Sequence, residues 1–260
     1  MDNRLSDRIH TLWDELADFD AAHGNEALDH LMKSLCQLVD AQNANWIGAV
    51  RMADIIPGDP THGWRPRVVR FLCPSRSLDE NALEQVKKLE VGIMDETTIR
   101  NIGMAGRFRI NRLTDLVDAT WFDGAYYRAY YIGVGHGDAI WAGIPINEDA
   151  ECYFGIFRDD AHPRFTPDER DLVAEALHGL KWFLRQQMLA HGLMVASAPL
   201  TPTERDVLQE LLTGQPEKLI ATALGKSYHT THEYVSSIFR KFGVGNRAAL
   251  MALWLGRGSQ

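Results

Sequence analysis

The chain has 260 residues, room for one large or two ordinary domains, each with its own core. An apolar share of 45% is that of a globular protein, and a net charge of -8 argues against polyanion binding by the molecule as a whole. The charge is uneven: from Ser197 onward seven Lys/Arg stand against five Asp/Glu, about +2, which leaves about -10 for the remainder.

Arg4 to about Ala21 carries Leu5, Ile9, Leu12, Trp13, Leu16 and Phe19 at helical spacing, and Asn25 to Ala41 repeats the pattern. The period then changes. Ala44 to Met52 and Arg67 to Cys73 are rich in strand formers, with Pro66 at the second strand's leading edge. Pro57-Gly58-Asp59-Pro60 between them is turn chemistry, so the pair reads as an antiparallel hairpin with a long loop. Helices are expected from Ser77 to about Val91 and from Asp95, an N-cap, to Met104. Arg107 to Ile110 is a short strand candidate. Trp121 to Tyr131 packs six aromatics into eleven residues and reads as one helix, broken by Gly133 to Gly137. Two closing strands, Asp138 to Ile146 and Cys152 to Arg158, hinge at Asn147-Glu148-Asp149. Thr166-Pro167-Asp168-Glu169 opens a long helix ending near Leu189, and His191 to Pro199 reads as linker.

Four short helices follow from Leu200 on. Thr201 caps the first, with Pro202 at N1 and Glu204 closing a capping box; Gly214 stops it. Pro216 opens the second. The connection Gly225 to Ser227 has the length and the glycine of a helix-turn-helix. In the third, roughly Thr230 to Phe242, Thr231, Val235, Ile238, Phe239 and Phe242 face inward, leaving His232, Glu233, Ser236, Ser237 and Arg240 outward. The fourth starts at Asn246 and is apolar nearly all round, more than one small core absorbs; Leu250, Leu253 and Trp254 are the candidates for contact with the same helix of a second subunit.

The run Leu-Thr-Pro-Thr-Glu-Arg-Asp-Val-Leu, with Gly214, Ala221, Leu224, Ser227, Thr230, Val235, Ile238, Lys241, Val244 and Arg247 in register, resembles the DNA-binding domain of LuxR-type transcriptional regulators over about sixty residues. The resemblance implies a homodimeric, cytoplasmic regulator that lays the third helix in the major groove of double-stranded DNA. His232, Glu233 and Ser236 would then meet base edges; Lys218, Ser227, Thr230, Arg240, Lys241 and Arg247 would meet phosphate. Three departures stand out. Lys226 occupies an aliphatic position before the turn serine and is expected to loosen the turn. Tyr234 replaces a histidine. His232 and Glu233 replace the basic reading face, and Glu233 favours a cytosine amino group and repels phosphate. Trp121 through Gly133, Trp141-Ala-Gly, Phe154-Gly-Ile-Phe-Arg and Phe165-Thr-Pro-Asp-Glu are similar to the sensor half of some members. The expected architecture is an α+β sensor domain over 1–190, with an antiparallel sheet flanked by helices in GAF- or PAS-like fashion. A linker at 191–199 and an all-α helix-turn-helix domain at 200–260 follow.

The resemblance implies a sensor that responds to a small molecule or to a partner. Pocket candidates are Trp46, Trp121, Tyr126, Tyr130 and Trp141. Trp121-x4-Tyr126-x3-Tyr130 also has a trace of the aromatic pattern of N-acyl-homoserine-lactone receptors, without the Asp-Pro that follows it there. His136-Gly137-Asp138 reads as a loop turn and Asp159-Asp160 as a solvated loop. Cys36, Cys73 and Cys152 are scattered, without CxxC or zinc spacing, and His229 with His232 lacks ligands for a metal, so neither metal nor cofactor is expected. No catalytic constellation is visible, which disfavours an enzyme with an appended reader. A polar, acidic start gives no expectation of a signal peptide, nor does any apolar run match a membrane span. An interaction module with a degenerate reader, motivated by Lys226 and Glu233, is the remaining alternative.

Overall fold

The computed structural model describes residues 3–52, 58–91, 93–194 and 200–255. Pro57 of the expected turn and 195–199 of the expected linker lie outside them. In chain order the helices and strands are α1 (Asn3–Ala17), α2 (Gly24–Leu38), β1 (Asn43–Arg51), β2 (Trp64–Phe71), α3 (Arg76–Glu90), α4 (Glu96–Ile102), β3 (Arg109–Arg112), α5 (Leu113–Leu116) and α6 (Ala125–Tyr130). Then come β4 (Asp138–Asn147), β5 (Ala150–Arg158), α7 (Pro167–His178), α8 (Lys181–Ala190), α9 (Pro202–Leu212), α10 (Glu217–Ala223), α11 (Tyr228–Phe242) and α12 (Arg247–Trp254). The chain divides into two compact units, 1–13 with 29–181 and 14–28 with 182–260. Among the described residues, no helix is long and apolar enough to cross a membrane.

In the first unit the five strands form one antiparallel sheet in the order β2-β1-β5-β4-β3. Side chains alternate across it. One face carries Trp46, Phe154, Ala142 and Cys152, all fully buried. The opposite face carries Asn45, Ile47, Tyr153, Trp141 and Phe157. Strand β2 starts three residues earlier than expected and runs through Pro66, opposite Ala49 at a register shift. Proline is tolerated there because β2 is an edge strand and a bulge needs no ladder N–H. Strand β3 is displaced two residues from its expected start, to Arg109.

Two expected helices are each divided. A 3₁₀ turn at Ala119–Asp123 and α6 replace a single helix from Trp121, with Gly124 extended between them. The long helix expected from Thr166 ends at His178, and α8 restarts after Gly179 and Leu180. The indole of Trp13 packs at this break. Its Nε1 donates to the Ala176 carbonyl at 2.9 Å, and a side chain at Gly179 would begin 3.3 Å from the Trp13 ring. The indole supplies a donor to one of the carbonyls that the end of α7 leaves without an intrahelical partner.

In the second unit, Thr201 and Glu204 form the expected capping box with Pro202 at N1. Ser227 caps α11 by accepting from the Thr230 N–H at 3.1 Å, so the helix starts two residues before its expected position. Gly225 (φ 61°) and Gly243 (φ 65°) take the left-handed conformation that ends α10 and α11. The core joins Leu200, Val207, Leu208, Leu211, Ile220, Val235, Ile238 and Phe242 to Leu189 of α8 and to α12.

Candidate functional site

The helix-turn-helix of the second unit is α10, Leu224 to Ser227, and α11. His232, Glu233 and Ser236 stand together on the exposed side of α11. His232 Nδ1 lies 2.9 Å from Glu217 Oε2, and its ring runs nearly parallel to Tyr228, 16° between planes. His229 Nε2 lies 3.4 Å from Glu233. Of the six expected phosphate contacts, Lys218, Ser227 and Arg240 are exposed and Thr230 is half-buried beside its cap.

The other two, Lys241 and Arg247, are engaged within the unit. Lys241 Nζ donates to Glu204 Oε2 at 2.7 Å. Glu204 is buried beneath α11 and also accepts from Ser237 at 2.8 Å and from the Thr201 N–H at 2.7 Å. Burial alone would raise its carboxyl; the Lys241, Thr201 and Ser237 donors outweigh that and lower it to about 2. Ser237 therefore points into this bond rather than outward. The Arg247 guanidinium closes the end of α9, donating to Leu211 O at 2.9 Å and Gln215 O at 2.6 Å, where carbonyls lack partners and the helix dipole is negative. These two cations bind protein acceptors, not an open surface. Much of the apolar side of α12 is used internally, although Leu255 at its end is exposed. Leu250, Leu253 and Trp254 are buried in the unit's own core, Trp254 lies 6.0 Å from Phe242, and Arg185 of α8 donates to the Leu253 carbonyl. They offer no dimer surface.

Lys226 does not loosen the turn. Its N–H closes onto the Ala221 carbonyl at 2.9 Å, and its ammonium sits 5.7 Å from the centre of the Tyr234 ring. The two departures from the family pattern thus contact each other as a cation–π pair.

The first unit holds a cavity of about 170 Å³ between the second sheet face and α3, α4 and α6. Tyr126, Tyr130 and Trp141 line it, as expected. Trp46 does not, because it sits at an even position of β1 and points from the opposite face, beside the buried Cys152. Nor does Trp121, which packs on Tyr126, Tyr127 and Tyr131 and donates to Asp95 at 2.9 Å. Tyr131, Tyr153 and Phe157 were missed; on β5 the spacing of two between Tyr153, Gly155 and Phe157 was the available signal. His136 is in a turn as expected, yet its ring is buried, stacks on Phe157 at 4.0 Å and lines the cavity; burial lowers its pKa to about 4.

The lining is mostly uncharged. Arg65 is its one formally charged side chain among the described residues, and it pairs with Asp59 at 3.0 Å and Glu90 at 3.5 Å. Burial opposes the charge of Asp59, but donors from Thr61, Gly63 and Arg65 hold its carboxyl at about 2. Behind the wall, Arg109 forms a buried pair with Glu151 and donates to Tyr153 Oη at 3.0 Å. Gly143 makes this possible: a Cβ there would lie 2.5 Å from the guanidinium carbon. Tyr126 donates to Gln85 at 2.8 Å and Tyr131 accepts from Trp141 at 3.1 Å. Burial raises both phenols, so neither ionises near neutrality. Burial also pushes Cys36 and Cys152 up to about 12, far from a reactive thiolate. No cluster of metal-ligating side chains occurs among the described residues.

A family model described as bacterial regulatory proteins, luxR family, matches residues 198–254. No curated protein matches the chain. Similar solved structures include SdiA in complex with octanoyl-rac-glycerol (14% identity, TM-score 0.48, covering 100% of this chain and 97% of that one). Others are Escherichia coli SdiA (15%, 0.45, 96% and 95%) and the LBD domain of VqsR from Pseudomonas aeruginosa (13%, 0.40, 68% and 98%).

Proposed function

Because residues 198–254 form a LuxR-family DNA-binding domain, we propose that this chain is a sequence-specific, cytoplasmic transcriptional regulator whose first unit answers to a small molecule. The observation that carries the DNA reading is the open polar side of α11, where His232, Glu233 and Ser236 are exposed, as are Arg240 of the same helix and Lys218 of α10. A major groove accepts a helix presented this way. With a charge of only about +2 from Ser197 onward, a single copy binds weakly and a dimer on two half-sites supplies the affinity. The dimer surface is one other than Leu250, Leu253 and Trp254.

The mostly uncharged, aromatic cavity supports an uncharged effector. At about 170 Å³ it suits a ligand of about one aromatic ring or a short chain, since ~150 Å³ holds a benzene. N-acyl-homoserine lactones with short acyl chains fall within that description; long chains exceed it. The effector regulates by binding two arrangements of the protein unequally.

Incubating the purified chain with sheared genomic DNA at physiological salt and sequencing what is retained tests the first half. Retention of no fragment above a non-specific background refutes it. Mass spectrometry of small molecules extracted from the purified chain tests the second, and an anionic ligand recovered from the cavity would contradict the mostly uncharged lining.

A further inference from the structure

We infer that Glu217, from α10, sets the hydrogen-bonding sense of His232 and thereby decides which bases α11 accepts. The inference rests on the DNA reading proposed above. An ionised carboxylate only accepts hydrogen bonds, so the contact between His232 Nδ1 and Glu217 Oε2 at 2.9 Å requires the proton on Nδ1. The neutral ring then carries a lone pair on Nε2. A carboxylate that selects a tautomer in this way is a familiar partner of functional histidines. The ring has a second support, its near-parallel placement against Tyr228, so both its tilt and its tautomer are set before DNA arrives.

In the major groove, amino groups are presented by adenine at N6 and cytosine at N4, whereas guanine shows two acceptors and thymine an acceptor and a methyl. An imidazole held as an acceptor therefore matches adenine or cytosine and meets guanine O6 or N7 lone pair to lone pair. The adjacent Glu233 carboxylate is also an acceptor. Two neighbouring acceptors on α11 select a step carrying amino groups. Glu217 touches no base in this scheme; it is a positioning residue acting through His232.

The test is selection of the full chain, as wild type, Glu217→Gln, His232→Ala and the double variant, on a random-sequence DNA duplex library at about pH 7.5. Affinities are then measured for the preferred duplex and its single base-pair substitutions. The wild type should favour adenine or cytosine over guanine at one position by about tenfold, the scale of one hydrogen bond gained against one repelled. Glu217→Gln, whose amide both donates and accepts, should reduce that ratio to about threefold or less at this position alone. The double variant should match His232→Ala, the signature of action through one residue. A general loss of folding would lower affinity for every duplex and would not move a single base preference. If His232→Ala alters the preference and Glu217→Gln does not, or if neither does, the inference is overturned while the DNA reading stands. If the wild type selects no sequence, the DNA reading itself fails.

Discussion

Neutralising Glu204 should destabilise the second unit far more than its position in a capping box implies. Glu204→Gln keeps the shape and some hydrogen bonds but removes the charge that Lys241, Thr201 and Ser237 converge on. A carboxyl held at about 2 instead of 4.5 corresponds to about 3 kcal/mol favouring the charged, folded form. A broken buried ion pair typically costs ~3–5 kcal/mol, whereas a lost cap alone costs ~1 kcal/mol. The sign follows from the lowered pKa. The contribution is complete above pH 4.5 and is lost as pH falls through about 2. Urea unfolding of the full chain, followed by far-ultraviolet circular dichroism, should show the transition of this unit about 1–2 M earlier at neutral pH. At about pH 3.5 the gap between variant and wild type should be roughly 1 kcal/mol smaller. A midpoint unchanged at neutral pH would refute the reasoning, as would an equal gap at both pH values.

Four further outcomes are expected. Arg240→Ala should leave stability unchanged and lower the slope of log affinity against log salt by about 0.9, the loss of one phosphate contact. Lys241→Met should instead lower stability and leave that slope alone; equal slope changes would show that Lys241 reaches DNA. Gly143→Ala places a Cβ 2.5 Å from the Arg109 guanidinium carbon and should cost about 3 kcal/mol or more by disturbing the buried pair with Glu151, seen as a lower thermal midpoint of the first unit. His136, held at about 4 by burial against an ordinary 6.5, is neutral in the fold, so stability should fall as pH drops from 6.5 to about 4, by about 3 kcal/mol. A His136→Phe variant should show a flatter profile over that interval, and an unchanged profile would assign the acid sensitivity to other groups.

What could be read from the sequence was what depends on neighbours within a turn or two. Thr201, Asp95 and Thr166 act as caps because a cap is satisfied by N–H groups two or three residues on. Helical spacing likewise placed Thr231, Val235, Ile238 and Phe242 inside α11. Roles set by distant partners were not legible. Lys241 and Arg247 look like surface cations until Glu204 and the end of α9 are brought beside them. Trp46 looks like a pocket residue until strand register fixes its face. Leu250, Leu253 and Trp254 look surplus to a small helical core because nothing local discloses that α8 also packs there. The division at Gly179 lies against Trp13, more than 160 residues upstream, whose indole donates to a carbonyl of α7.

The contact between Lys226 and Tyr234 makes two unusual positions answerable to each other. Restoring the common aliphatic residue at 226 alone would strip the ring of its cation, and restoring histidine at 234 alone would set an ammonium stem beside a second basic group. The effect of changing either position therefore depends on what occupies the other. Changes at these sites should be made, and in a set of related sequences should be found, in pairs.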